Sequence, residues 1–214
     1  IADANPDIVN ECLMHLKYEI GNKILIENIP TIANNSSDAN NDIDISSGWC
    51  LDSTKTIKIN ILESITKQLD DIFAPGTNQG GLDADTKAVD TWYHVFLIAK
   101  EDGTSDVLFS TSSTNPTMPT DYIYKRRIGS IKTDGNGDII PFIQDGDKFW
   151  WSTLVRDVNT NATTSSRTLY TISVPPVKCY ADIYVYTDAV ANRVSLVTSP
   201  LQPDIAPTDV CHNV

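Results

Sequence analysis

The most informative stretch of hydrophobic and polar positions runs from residue 92 to residue 131. Trp92 to Ala99 (WYHVFLIA) places aromatic and branched apolar side chains on both alternating faces, the pattern of a strand covered on two sides and therefore central to a core. Glu101-Asp102-Gly103 is a hairpin signal, with glycine supplying the positive φ of a tight turn, and Val107 to Thr111 is the antiparallel partner it predicts. Ser112 to Pro119 is Ser, Thr, Asn and Pro with a single Met, so it reads as a surface crossing to another sheet. Tyr122 to Ile131 then re-enters as a strand in which apolar side chains alternate with charge.

Elsewhere the periodicity is mostly that of short strands. Lys23 to Ile29, Asp42 to Ser46, Thr56 to Leu62, Phe142 to Thr153 with a turn at Gly146, Thr168 to Val174, Cys179 to Thr187 and Arg193 to Thr198 are expected strands. Thr31 to Asn41, Ala74 to Ala84 and Asn159 to Ser166 read as loops, Pro175-Pro176 as a break and Thr133 to Asp138 as a hairpin turn. Ser64 to Phe73 fits strand and helix equally, because Ile65, Leu69 and Ile72 also recur at helical spacing.

Asn5 to Ile20 carries the one convincing helical pattern. Asn5 caps, Pro6 suits the first helical position, and Val9, Leu13, Leu16 and Ile20 form one apolar stripe ended by Gly21-Asn22. The stripe has two readings: it packs on its own domain, or, because the spacing also fits a heptad seam, it is a stem joining copies of the chain. About ten short strands without strand–helix alternation predict an all-β, antiparallel β-sandwich or jelly-roll-like fold with a short N-terminal helix. The expected organisation is a helical segment over residues 1–22 and a single β-sandwich domain over 23–214. No internal repeat is visible.

The order WYHVFLI, DVLFSTS, PTMP, YKRRIGSI, a Gly/Asp turn and FIQDGDKFW is preceded by NDIDI, Cys50 and GTNQGGLD, and followed by SVPPVK and VTSPLQPDIAP. Together these resemble a set of uncharacterised bacteriophage and prophage structural proteins labelled tail-fibre-like. The resemblance covers roughly Lys23 to Pro207, and Leu51 departs from it where the family often has Arg. It implies a virion protein assembled in a bacterial host cytoplasm, a tail-fibre or appendage module that is a homotrimer, meets other virion proteins and recognises host-surface glycan, with no catalysis. The alternatives are a capsid decoration or head-fibre protein without a ligand, and a glycan-degrading depolymerase or esterase.

Composition narrows the partners. A formal net charge of -12 on 214 residues repels phosphate backbones, which disfavours nucleic acid as the main partner. No apolar run approaches the length of a membrane span, and the first residues lack the basic and apolar regions of a signal peptide; the absence of an initiator Met is expected of a processed or truncated chain. Cys12, Cys50, Cys179 and Cys211 are scattered without a CxxC pair and read as free thiols. Cys12 with His15 and Cys211 with His212 would make a zinc set only if the termini met, so neither metal nor cofactor is expected.

Few residues offer chemistry. A lone strand histidine such as His94 is more often a hydrogen-bonded core residue than a base, and no catalytic set is expected. In Lys125-Arg126-Arg127, alternation sends Arg126 to one face and its two neighbours to the other, either to contact an anion or sialic acid, or to pair with carboxylates across strands. Asp134, Asn136, Asp138 and Asp145 faintly follow a calcium loop, but Ile139 stands where the sharp-turn Gly is needed. Gly80-Gly81-Leu82 lacks the rest of a phosphate cradle. Aromatics are the better lead for binding: Trp49, Trp92, Trp150 and Trp151 offer flat faces to sugar rings. Adjacent in one strand, Trp150 and Trp151 must face opposite sides; with Arg126 and Arg127 they form the expected ligand-binding set.

Overall fold

The computed structural model describes residues 27–84, 86–146, 148–159 and 168–185. The expected helix and stem with Val9, Leu13, Leu16 and Ile20, the start of the first expected strand, the strand at 193–198 and both halves of the supposed zinc set lie outside these residues. What is described is all-β and sandwich-like, without a helix among the described residues.

Eleven strands follow one another: β1 (Ile32–Asn34), β2 (Asp42–Ile45), β3 (Gly48–Leu51), β4 (Lys58–Ile61), β5 (Ile65–Ile72), β6 (Gln79–Leu82), β7 (Trp92–Lys100), β8 (Ser105–Ser110), β9 (Tyr122–Lys132), β10 (Phe142–Asp145) and β11 (Lys148–Trp151). Seven form one sheet in the order β1-β2-β5-β6-β8-β7-β9, while β3-β4 and β10-β11 are separate two-stranded ribbons. Neighbours pair antiparallel except β5-β6 and β6-β8, which are parallel. The hairpin from β7 to β8 is as the pattern predicts, but β9 returns to the same sheet on the far side of β7, not to another sheet. Residues 112–119 make that crossing, with Pro116 buried and Met118 packed, partly buried, on the smaller core.

The parallel pairings come from a strand that sequence reading places in a loop. β6 is QGGL, whose two glycines carry no strand propensity. Both are there because backbone passes too close for a side chain: a Cβ on Gly80 would collide with the Ile72 carbonyl oxygen, and one on Gly81 would lie 2.7 Å from the Phe109 ring. The segment 64–73, open between helix and strand, is the strand β5, fixed by its register with β2, where Ile45 faces Ile65 and Ile43 faces Lys67. Residues 168–174 and 179–185, expected strands, pair with nothing among the described residues. Tight turns, in which Val174 N donates to the Ile172 carbonyl and Val177 N to the Pro175 carbonyl, together with two prolines that cannot donate to a ladder, break the run between them.

The sheet curls. Its first and last strands approach each other where Ile32 of β1 packs over Gly129 of β9, at a point with no room for a Cβ. The β10-β11 ribbon closes the seam: Phe142 N donates to Asn34 Oδ1, and the Gln144 amide donates to the Ile128 carbonyl. On the inner face Ile43, Ile45, Leu69, Val95, Leu97, Val107, Phe109 and Ile131 meet Cys50, Ile59 and Ile61 of the β3-β4 ribbon, the second layer of the sandwich. Ser53, in the turn of that ribbon, is tied to β9 by donating from N and Oγ to the Lys125 carbonyl at 2.8 and 2.7 Å. A smaller core of Phe96, Ile98, Leu108 and Tyr122 lies on the other face of β7, covered by Phe73 and Met118. Strand β7 is thus buried on both sides, as its composition predicts.

Candidate functional site

The most exposed aromatic surface on a braced element is the outer face of the β10-β11 ribbon. Its register pairs Ile143 with Trp150 and Asp145 with Lys148, and all four side chains are exposed, Ile143 at 57 % and Trp150 at 45 %. Alternation turns Phe142, Phe149 and Trp151 the other way. There the rings lock: Phe142 stacks on Phe149 at 5.4 Å, Phe149 meets Trp151 edge-on at 4.9 Å, and Trp151 lies 5.6 Å from Trp92 of the central strand. The Trp151 indole donates to the Ser173 carbonyl at 3.0 Å. One face of the ribbon is therefore an anchor and the other a platform: a flat indole beside an isoleucine, with a carboxylate and an ammonium one pair further along. Such a surface can stack on an apolar sugar face while its charged rim takes hydroxyls.

The residues expected to bind ligand are not gathered in one place. Trp150 is on the platform and Trp151 beneath it, as opposite-facing neighbours must be. Arg126 and Arg127 lie further along β9, opposite Leu97 and Phe96, while Trp151 stacks beside Trp92 at the start of β7. They do split between faces: the charge of Arg126 is felt by Cys50 in the main core and that of Arg127 by His94 on the other side. Among the described residues neither meets a carboxylate within 4 Å, so cross-strand ion pairing does not account for them. Burial, then the neighbouring Arg126, lowers the affinity of Arg127 for its proton. Trp49 is covered by the Lys58 ammonium, 4.5 Å above its ring.

His94 is the hydrogen-bonded core residue its placement predicts. It stands in a buried cross-strand row between Ser110 and Ser130, with Nδ1 2.8 Å from Ser130 Oγ. Burial first, and Arg127 second, push its pKa down to about 4. The pair is sealed from solvent and has an arginine, not a carboxylate, beside it, which is the wrong charge to stabilise an imidazolium. The Asp134 carboxylate is spent on its own turn, accepting from Asn136 N and Asp138 N, and these bonds hold its pKa low. Asp145 is on the platform, paired with Lys148. Among the described residues no three potential ligands are placed to hold a metal ion.

Elsewhere a shallow cleft of about 440 Å³ opens between residues 60–65, Thr77 and residues 103–105, with Glu63 as its one ionisable side chain. It offers no aromatic face. Ile143 was not singled out from the sequence, yet it was findable: counting outward from a two-residue turn beginning at Gly146 sets Ile143 opposite Trp150. Comparison with protein-family models, with curated proteins and with solved structures yields no match.

Proposed function

We propose that the chain is a phage virion structural protein, a tail-fibre or appendage module that recognises host-surface glycan through the outer face of β10-β11. The motif resemblance supplies the virion setting, and the exposed Ile143–Trp150 pair on a rigidly backed ribbon is the observation that carries the recognition. A free indole on a loop would have to be ordered on binding; this one stands on a strand whose opposite face is locked by three rings, so little entropy opposes stacking. On this reading Asp145 and Lys148 orient the sugar, and Arg126 and Arg127 serve the fold. The test is binding of the full chain to immobilised bacterial surface polysaccharides (lipopolysaccharide O-chains, capsular polymers and wall teichoic acids). Retention on at least one class, weakened roughly tenfold in Trp150→Ala, supports the reading. Equal retention of wild type and Trp150→Ala, or of neither, overturns it in favour of a decoration protein without a ligand.

A further inference from the structure

Residues 179–185 (CYADIYV) have the composition of a strand and none of its partners. Tyr180 is wholly exposed, Tyr184 is 83 % exposed, and Ile183 and Val185 are about half exposed. That much strand-forming apolar surface in one short run is what soluble chains cover. On the same chain β11 is hydrogen-bonded on one side only, to β10, and its other edge takes no ladder among the described residues. Ser173 touches Trp151 of β11, so the unpaired segment leaves from the very ribbon that has an open edge. Pro175 and Pro176, which cannot donate to a ladder, stand between that contact and residue 179.

We infer that residues 179–185 add as a strand to the free edge of β11 in a second copy of this chain. An unpaired segment and an open edge on the same chain make two copies complementary to each other, and charge permits them to meet. Residues 27–141 carry seventeen acidic side chains against nine basic ones, and two such surfaces repel. Residues 142–185 carry Lys148, Arg156, Arg167 and Lys178 against Asp145, Asp147, Asp157 and Asp182, so this region is balanced and lets two acidic chains approach. Because tail and edge leave from the same ribbon, the exchange is returned in a two-fold dimer or passed head to tail around a ring. The backbone edge of β11 is used and its outer face stays open, so the inference stands whether or not Trp150 binds glycan.

The test is light scattering on the full chain at about 100 µM together with amide hydrogen exchange of residues 179–185, compared with the double variant Tyr180→Asp/Tyr184→Asp. Both side chains are exposed, so the variant keeps the wild-type circular dichroism. Expected is an oligomeric wild type with slowed exchange in this segment, and a variant of monomer mass with fast exchange. A monomeric wild type, an oligomer that survives the double variant, or an oligomer whose 179–185 amides exchange freely would each overturn the proposal.

Discussion

Lys67 of β5 and Asp106 of β8 meet past the intervening β6, Nζ 3.0 Å from Oδ1, with both side chains shut away from water. The pair is fully served. Lys67 also donates to the carbonyls of Ala74 and Gly80 and lies over the Phe73 ring, and Asp106 accepts from Gly76 N. Four of these groups belong to β6 or to residues 73–78, so the pair pins the short link that lets β5 and β6 run parallel, a connection that usually needs a dozen residues or more.

Removing both partners should therefore cost less than the two single removals added together. Lys67→Met leaves a buried carboxylate and Asp106→Leu a buried ammonium, each expected to lose about 3–5 kcal/mol in urea denaturation. The double variant should lose clearly less than the sum, because two apolar side chains of similar length need no partner. Additive losses would show that the two charges are not coupled.

Glycine positions separate close packing from turn strain. Gly80→Ala must drive a methyl group into the Ile72 carbonyl and should cost about 2 kcal/mol or more. Gly103→Ala meets nothing within 4 Å, yet its φ of +88° is unfavourable for a side chain, so about 1 kcal/mol is expected. Thermal melts of the two variants should rank in that order.

Asp42 and His94 act in opposite directions across mildly acidic pH. Burial, then the charges of Asp38, Asp70 and Asp44, raise Asp42 to about 6, with Lys87 offsetting part. The folded chain thus holds this proton more tightly than the unfolded one, and stability rises as pH falls from above 6 towards 3.8, the ordinary value for an aspartate. His94 is the reverse: lowered to about 4 from 6.5, it makes the unfolded chain the better proton acceptor, so stability is lost as pH falls through that window. The wild-type melting temperature should change little between pH 6.5 and 4. Asp42→Asn, with His94 unopposed, should lose melting temperature steadily on acidification; a profile parallel to wild type would refute the assignment.

The two adjacent tryptophans should part company. Trp151→Ala removes the ring that joins the ribbon to Trp92 and is expected to lose about 2 kcal/mol of stability. Trp150→Ala should leave stability within about 0.5 kcal/mol while weakening polysaccharide retention roughly tenfold, equivalent to about 1.4 kcal/mol. Matched melts and binding isotherms distinguish the two.

Legibility in the sequence followed locality. The β7-β8 and β10-β11 hairpins were readable because a turn glycine and flanking periodicity lie within a dozen residues of one another. β6 was not, since Gly80 and Gly81 have meaning only against Ile72 and Phe109, which the fold brings to them. The face on which each arginine lies followed from alternation along β9, but their lack of carboxylate partners among the described residues did not, because pairing in a curled sheet is decided by strands far away in the chain. Residues 179–185 read as a strand by composition, and composition does not say which chain supplies the neighbour. Trp150 was legible as a surface candidate; the neighbours that make it a platform needed the register.

The meeting of Ile32 with Gly129 has a consequence for how the chain is made. Strand β1 leaves the ribosome ahead of the strand that covers it and the ribbon that seals it, which emerge about a hundred residues later, some 5–20 s at ordinary synthesis rates. Until Phe142 arrives to bond Asn34, the growing chain holds an open, sticky edge, and the sandwich closes only once the ribbon has been made.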